Sequence, residues 1–247
     1  MEITQIKSSL LKSGIKKGDT LLIHGDAGVT HQINSKTKDK INLFFDILID
    51  YLGKQGNILI PTFTYSVCKT KNFDIKNSNS ETGLFSETFR KRKSVKRTNH
   101  PIFSFAIFGK KFKYFNKANI STCFGKDSIF DFFLKNKGKI ICLGCNLDRI
   151  TFTHHAEEIH KVNYRYLKKF KIFLKAQKKI INTNYYVRKL TKKSRIDLRN
   201  LYKYLKQKKR IKEIDFGRYR IMSIKSESYF KSCIEMLKKN KFSLIQR

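Results

Sequence analysis

Ile3, Ile6 and Leu10 recur at helical spacing and Gly14 stops the run, after which Asp19 to His24 reads as a short buried strand. The next helix has the strongest pattern in the chain: Ile41, Phe44, Phe45, Leu48, Ile49 and Leu52 repeat along one face, and Gly53 ends it. Asn57 to Thr62 follows as a second strand, and the succession strand, helix, strand predicts an α/β domain. Residues 64–82 are polar and read as a long loop. Leu84, Phe85, Thr88 and Phe89 predict a short amphipathic helix ending in the basic run Arg90 to Lys93. Phe103 to Phe108 and Lys139 to Leu143 read as strands, separated by a helix around Ser128 to Asn136.

Past residue 160, Phe170, Ile172 and Leu174 alternate with lysines, as in an edge or half-exposed strand, and Asn182 to Val187 is the partner that would close a hairpin. Leu198, Leu201, Tyr202 and Leu205 predict a helix and Tyr219 to Ile224 a strand. Phe230, Cys233, Ile234 and Leu237 predict a last helix capped by Ser226, with Lys238 and Lys239 at its C-terminal end. No repeat, low-complexity stretch or Pro/Gly-rich linker interrupts the chain. One continuous domain over 1–247 is expected, with a motif-bearing core over 1–160 and a basic segment over 161–247.

The longest apolar run, Ile41 to Leu52, is broken by Asp46 and Asp50 and falls short of the roughly 20 residues of a membrane span. No secretory signal pattern opens the chain, so the cytoplasm is the expected compartment. Cys68, Cys123, Cys142, Cys145 and Cys233 form an odd, scattered set for which reduced thiols are expected. Cys142 and Cys145 have Cys-x-x-Cys spacing but sit in the apolar run from Ile140, which reads as strand interior and argues against metal, redox or acyl-enzyme roles.

The formal net charge of +35 first suggests nucleic acid or an anionic surface as partner. Yet the chain has 42 Lys and 12 Arg, whereas phosphate and base recognition favour arginine. Abundant Lys, Asn, Ile and Phe with scarce Pro, Trp and Gly point instead to an A+T-rich coding bias. The excess is uneven, +12 over residues 1–160 and +23 over 161–247. That basic third, with Tyr185, Tyr186, Tyr202 and Tyr204 interleaved, keeps an RNA-binding alternative in view; a phosphorylated cofactor would benefit from the same field.

Five polar clusters fall at ends of predicted strands, where open α/β sheets bind ligands. They are His24-Gly25-Asp26, Pro61-Thr62 with Tyr65, Arg97-Thr98-Asn99-His100-Pro101 with Ser104, Phe124-Gly125 with Ser128, and Thr151 to Glu158. The last holds His154, His155, Glu157 and Glu158, with His160 just beyond. On a helix His154 and Glu157 share a face, so the carboxylate can hold the ring's far N–H and fix its tautomer. That is the build of a general base for an amine or hydroxyl attacking a carbonyl; the bland alternative is a polar helix start with one satisfied histidine. Glu157-x-x-His160 has di-iron spacing, but the second such motif and further Glu-bearing helices are missing and His-Glu-x-x-His is absent, so no metal is expected. No Gly-x-Ser-x-Gly, Walker or Gly-x-Gly-x-x-Gly motif follows a strand, which leaves serine-hydrolase, NTPase and dinucleotide readings unsupported.

Taken in order, six pieces resemble the motif succession of the aminoglycoside 3-N-acetyltransferase family. They are Gly14, Gly18-Asp19 and Leu21 to His24; Gly53, Gly56 and Ile58 to Thr62; Thr82-Gly83, Glu87 and Arg90; Arg97-Thr98, His100-Pro101 and Ser104; Phe124-Gly125 and Ser128; and Thr151, His154 and Ala156-Glu157. The C-terminal third is similar only in its pattern of elements. The resemblance implies a single α/β domain with a central mixed sheet flanked by helices, antibiotic N-acetyltransferase-like and distinct from the GNAT fold. It implies acetyl transfer from acetyl-CoA, without a metal, to an amine of an aminoglycoside or other amino sugar. His154 would be the base, Glu157 its partner and Thr151 an oxyanion donor. His24, Gly25, Asp26, Arg97 and Thr98 would line the cofactor site, and Asp26, Tyr65 and His100 would meet the acceptor.

The family usually has His-Ser-Ser where this chain has His24-Gly25-Asp26, Arg-Ser at Arg97-Thr98, and proline at Ile129, so a catalytically degenerate member is a further alternative. A strongly basic protein is an odd host for a polycationic aminoglycoside. This favours a nucleotide-linked or other anionic amino sugar, for instance one bound for a surface polysaccharide. The expected partner is thus a small-molecule amine rather than a membrane or nucleic acid, with monomer and homodimer both open.

Overall fold

Helices and strands alternate through the first half of the chain as α1 (Ile3–Lys12), β1 (Thr20–Gly25), α2 (Lys40–Leu52), β2 (Asn57–Pro61), α3 (Val67–Thr70), β3 (Asn72–Phe73), α4 (Leu84–Arg90), β4 (Lys96–Arg97) and β5 (Phe105–Phe108). The second half adds α5 (Phe112–Phe115), α6 (Ile129–Lys135), β6 (Lys139–Leu143), α7 (Thr153–Ile159), β7 (Arg165–Leu174), β8 (Lys179–Arg188), α8 (Arg199–Gln207), β9 (Lys212–Phe216), β10 (Tyr219–Lys225) and α9 (Ser226–Lys239). This computed structural model describes residues 1–246, Lys192 by its backbone alone; Arg247, last of the expected domain, lies outside.

Seven strands form one sheet in the order β4-β5-β2-β1-β6-β10-β9. Its centre, β2-β1-β6, is parallel, and β5, β4, β10 and β9 join antiparallel to their neighbours, so the sheet is mixed. Successive side chains on a strand face opposite ways. Leu21, Ile23, Ile58, Ile60, Ile141 and Leu143 therefore meet Ile6, Phe44, Phe45 and Phe89 from α1, α2 and α4. Leu22, Leu59, Ile140 and Cys142 point into a second core completed by α6, α7, α8 and α9. Burial on both faces is why the central strands read as unbroken apolar runs.

β7 and β8 pair over ten residues as the alternation predicts, and β3 joins them in a second sheet. Phe170, Ile172, Leu174, Ile181 and Tyr185 are buried, while Lys169 and Lys171 face water. The four tyrosines of the basic third are used by the fold. Tyr185 is fully buried with its hydroxyl donating to Ile120 O, Tyr186 donates to Val162 O, Tyr202 to Glu213 and Tyr204 to Glu235. No helix among the described residues is long and apolar enough to cross a membrane.

Three local expectations are corrected. Residues 64–82 are not a plain loop: α3 and β3 lie within them, with Val67 and Phe73 buried. β9 was hidden because it is an edge strand, Lys-Glu-Ile-Asp-Phe, in which only Phe216 is buried. Ser226 does not cap α9; it is the first helical residue, and its Oγ has no hydrogen-bond partner among the described residues.

Two histidines give the fold a pH dependence. His24 and His100 are buried, and burial depresses both pKa values from 6.5 to about 3. Between those values the unfolded chain binds protons that the native state refuses, so stability is complete above pH 6.5 and falls on acidification, by up to about 1.4 kcal/mol per pH unit for each histidine. Urea midpoints should therefore drop continuously between pH 6.5 and 4. His100→Asn, whose oxygen can accept the two amides that His100 Nδ1 accepts, should flatten that slope by one histidine's share; an unchanged slope contradicts the assignment.

Candidate active site

The parallel strands β1, β2 and β6 end at one edge of the sheet, where the segments after them gather. The turn after β6 requires glycine: Gly144 has φ +69°, and a Cβ there would lie 2.2 Å from Val29 Cγ2. Two cavities open at this edge. One, about 500 Å³, is walled by His24, Gly25, Tyr65, Thr82, Phe85 and Thr151. The other, about 580 Å³, is walled by His154, Asn146, Asp148, Arg188 and Arg195. They share Asp26, Cys145 and Arg149, so they are two arms of one cleft.

α7 places His154 in the wall of the second arm. Thr153 Oγ1 fastens its first turn, donating to Ile150 O at 2.7 Å with the Tyr229 hydroxyl 2.6 Å away. One turn on, His154 Nδ1 meets Glu157 Oε2 at 2.7 Å, the i, i+3 contact that the spacing predicts. Glu157 is completely buried, and its remaining capacity is filled by Tyr164, donating to Oε1 at 2.8 Å, and Arg165, whose Nε donates to Oε2 at 2.9 Å. Burial alone would raise the carboxyl pKa; Arg165, His154 and Tyr164 outweigh it and hold it at about 2.

Arg165 Nη2 also comes within 2.6 Å of His154 Nδ1. A guanidinium only donates, so it favours an unprotonated Nδ1 while Glu157 favours a protonated one. The two neighbours pull the imidazole tautomer in opposite directions. Burial, and then Arg165, lower the His154 pKa, with Glu157 pulling the other way, so the ring is neutral and able to take a proton at pH 7. His154 keeps 18% side-chain exposure and lines the second arm. The adjacent His155 is structural, its Nδ1 2.5 Å from Phe124 O inside the core. His160 caps the C-terminal end of α7.

The structure brings His24, Gly25, Asp26, Tyr65, Thr151 and His154 to the cleft, with Glu157 directly behind the histidine. His24 Nε2 and Thr151 Oγ1 are buried without hydrogen-bond partners among the described residues. Arg97, Thr98 and His100 are not brought there. Arg97 donates to Ser104 Oγ, Thr62 O, Thr64 Oγ1 and Ser78 O, pinning residues 62–78 to the sheet. Thr98 Oγ1 accepts from Phe105 N at 2.9 Å, and His100 accepts two backbone amides while stacking on Tyr185 at 5.2 Å. Cys145 lies beyond the end of β6 rather than inside it, lining both arms with its thiol donating to His24 O at 3.2 Å. Tyr164 and Arg165 were missed, since no helical or strand spacing links them to Glu157. A buried arginine at the start of a strand was the available signal.

Fold and site together define an α/β protein with a carboxylate-held histidine in the wall of one of two adjoining ligand-sized cavities. A sequence profile of the aminoglycoside 3-N-acetyltransferase family matches residues 22–238. The chain belongs to that family of acyltransferases. The SPbeta prophage-derived aminoglycoside N(3')-acetyltransferase-like protein YokD of Bacillus subtilis (strain 168) is 28% identical over 62% of this chain; the match spans 63% of YokD, less than two thirds of its length. Among solved structures, aminoglycoside acetyltransferase AAC(3)-IVa superposes with a TM-score of 0.82 at 21% identity, covering all of this chain and 92% of that one. A histidine-to-alanine variant of AAC(3)-IVa was solved in complex with a gentamicin. AAC-IIIb, solved as a binary complex with CoASH, gives a TM-score of 0.82 at 15% identity, covering all of this chain and 98% of that one.

The fold explains one departure from the family pattern. A Cβ on Gly25 would lie 2.7 Å from Cε1 of Phe85, a buried ring packed 4.7 Å from Phe45 and 6.1 Å from Phe44. Serine cannot stand at 25 while Phe85 keeps its place. Gly25→Ala should cost about 1–3 kcal/mol by chemical denaturation, and Phe85→Leu in the same chain should recover part of it. Strictly additive effects would contradict this packing.

Proposed function

We propose that the protein is an acetyl-CoA-dependent N-acetyltransferase acting on an amine of an amino sugar, with His154 as general base. The observation that carries this reading is the His154–Glu157 pair, clamped by Arg165 and Tyr164 in the wall of the second arm, which adjoins the first. Family membership supplies the reaction class. The arm beneath His24 suits the acyl-pantetheine end of acetyl-CoA: Ile23, Phe63, Leu84 and Phe85 give it apolar walls, and the unpartnered His24 Nε2 and Thr151 Oγ1 offer polar contacts to an amide or thioester. The arm holding His154 then receives the amine.

In this reading His154 Nδ1–H donates a hydrogen bond to Glu157, which leaves Nε2 of His154 free to take a proton from the attacking nitrogen. The nitrogen–carbon bond forms, Thr151 Oγ1 donates to the oxyanion, and the carbon–sulfur bond breaks as His154 returns the proton to the departing thiolate. Both ring states stay next to the Glu157 carboxylate, which stabilises the imidazolium without itself being protonated. The cytoplasm is the compartment in which such a cosubstrate would be met.

His154→Ala should lower CoA release in a free-thiol assay roughly 100- to 10,000-fold, while acetyl-CoA affinity by calorimetry stays within a few-fold. Undiminished turnover in that variant contradicts the assignment of the base.

A further inference from the structure

The described cations around His154 are of one kind. Lysine outnumbers arginine 42 to 12 in the chain, yet among the described residues the cavity that holds His154 is lined by Arg149, Arg188 and Arg195 and by no lysine. Drift in surface composition predicts the reverse. None of the three has a carboxylate within ion-pair distance among the described residues, whereas Arg92, Arg165 and Arg210 are each paired. Arg188, at the end of β8, is held by a 3.0 Å hydrogen bond from Nη1 to Ser194 O, and Arg195 follows one residue later. Neighbouring guanidiniums oppose one another's charge: the Arg188 pKa is lowered first by burial and then by Arg165 and Arg195. The same cavity holds Asp26 and Asp148, which accept backbone amides from Gly28 and Leu198 through one oxygen each.

Adjoining it through Gly144, Cys145, Asn146 and Asp148 is a cavity of about 850 Å³ with Leu198, Tyr202, Tyr219 and Met222 in its wall and Arg218 at its side. It is the largest of the cavities described and far roomier than a lone sugar ring requires.

We propose that the acceptor is an anionic amino sugar carrying a diphosphate, as in a nucleoside-diphosphate sugar. Arg149, Arg188 and Arg195 hold the phosphates, Asp26 and Asp148 steer the amine toward His154, and the adjoining cavity takes the nucleoside. Planar guanidiniums match phosphate oxygens bidentately, which ammonium groups do not. A polycationic aminoglycoside in this arm would set its ammonium groups against three unpaired guanidiniums. The proposal rests on the reading of His154 as the acetyl-transfer base, because that reading fixes which arm receives the acceptor.

The test uses the full chain at about 0.15 M salt, first titrated with acetyl-CoA by calorimetry and then, saturated with it, with UDP, inorganic pyrophosphate and gentamicin. UDP should bind the acetyl-CoA-loaded protein, with pyrophosphate weaker and gentamicin undetected. Arg188→Gln and Arg195→Gln should each weaken UDP by about tenfold while acetyl-CoA affinity stays within threefold. The Arg195 side chain makes no hydrogen bond within the described fold, so its variant reads binding rather than folding. UDP and pyrophosphate binding equally tightly, with the same loss in both variants, also supports the anionic acceptor and assigns it to a sugar phosphate. Displacement of UDP by acetyl-CoA, with both variants weakening acetyl-CoA itself, overturns the proposal, since the arginines then serve the cofactor's phosphates. Gentamicin binding with UDP excluded overturns it as well. Absence of any acetyl-CoA binding overturns the transferase reading, and this proposal with it.

Discussion

A single buried carboxylate organises this structure. Glu157 is out of contact with water, and an unpaired charge in that position would be strongly destabilising. It is tolerated because four contacts converge on its two oxygens, from Tyr164, from Arg165 by two nitrogens, and from His154. Those partners come from α7 and from the first residue of β7 with the residue before it. The helix behind the cleft and the hairpin sheet are thereby locked in one relative position. The aim of the His154 ring, the mouth of the cavity at the end of β8 and the docking of the second sheet all follow from that arrangement. The carboxylate also sets a tension, since the cation that neutralises it competes with it for the same ring nitrogen of His154.

Much of the scaffold was legible because the central strands and α2 bury apolar residues with the period of their own geometry. Leu21 to Ile23 and Ile140 to Leu143 are buried on both faces, and Phe44, Phe45 and Leu48 fall on one side of a helix. The strand Lys212–Phe216 was not legible, because its order comes from backbone pairing with β10 rather than from burial. His154 and Glu157 were readable since helical geometry alone brings them together. Arg165 was not: the chain must first turn at Lys161, which adopts φ 52°, before it can return to Glu157, and that turn leaves no spacing rule behind. Arg97 and His100 show the converse case. Polar residues at strand ends suggest ligands, yet these spend their hydrogen-bonding capacity on the backbone of neighbouring segments.

The net charge of +35 says less about recognition than the pairing of individual charges does. Lysines on β7 alternate outward into solvent, and the tyrosines among them are tied to carboxylates and carbonyls. Most buried or half-buried arginines have a defined internal partner, such as Asp46, Glu157 or Glu235. Against that background, cations without a counter-ion among the described residues, beside a neutral histidine, carry more information than the total.

The contact between Gly25 and Phe85 bears on which related sequences can be reached from this one by single changes. The ring occupies the space that any side chain at 25 would need, and it belongs to an aromatic cluster with Phe44 and Phe45. Enlarging residue 25 first produces a clash; shrinking residue 85 first leaves a void beside the two rings that remain. Either order passes through a less stable intermediate, so sequences with a larger residue at the end of β1 lie behind a barrier in sequence space. Exposed positions such as Arg149 and Arg195 face no such barrier. The cavity that holds His154 is thus free to diversify one residue at a time, while the cavity walled by His24 is held to a coupled pair.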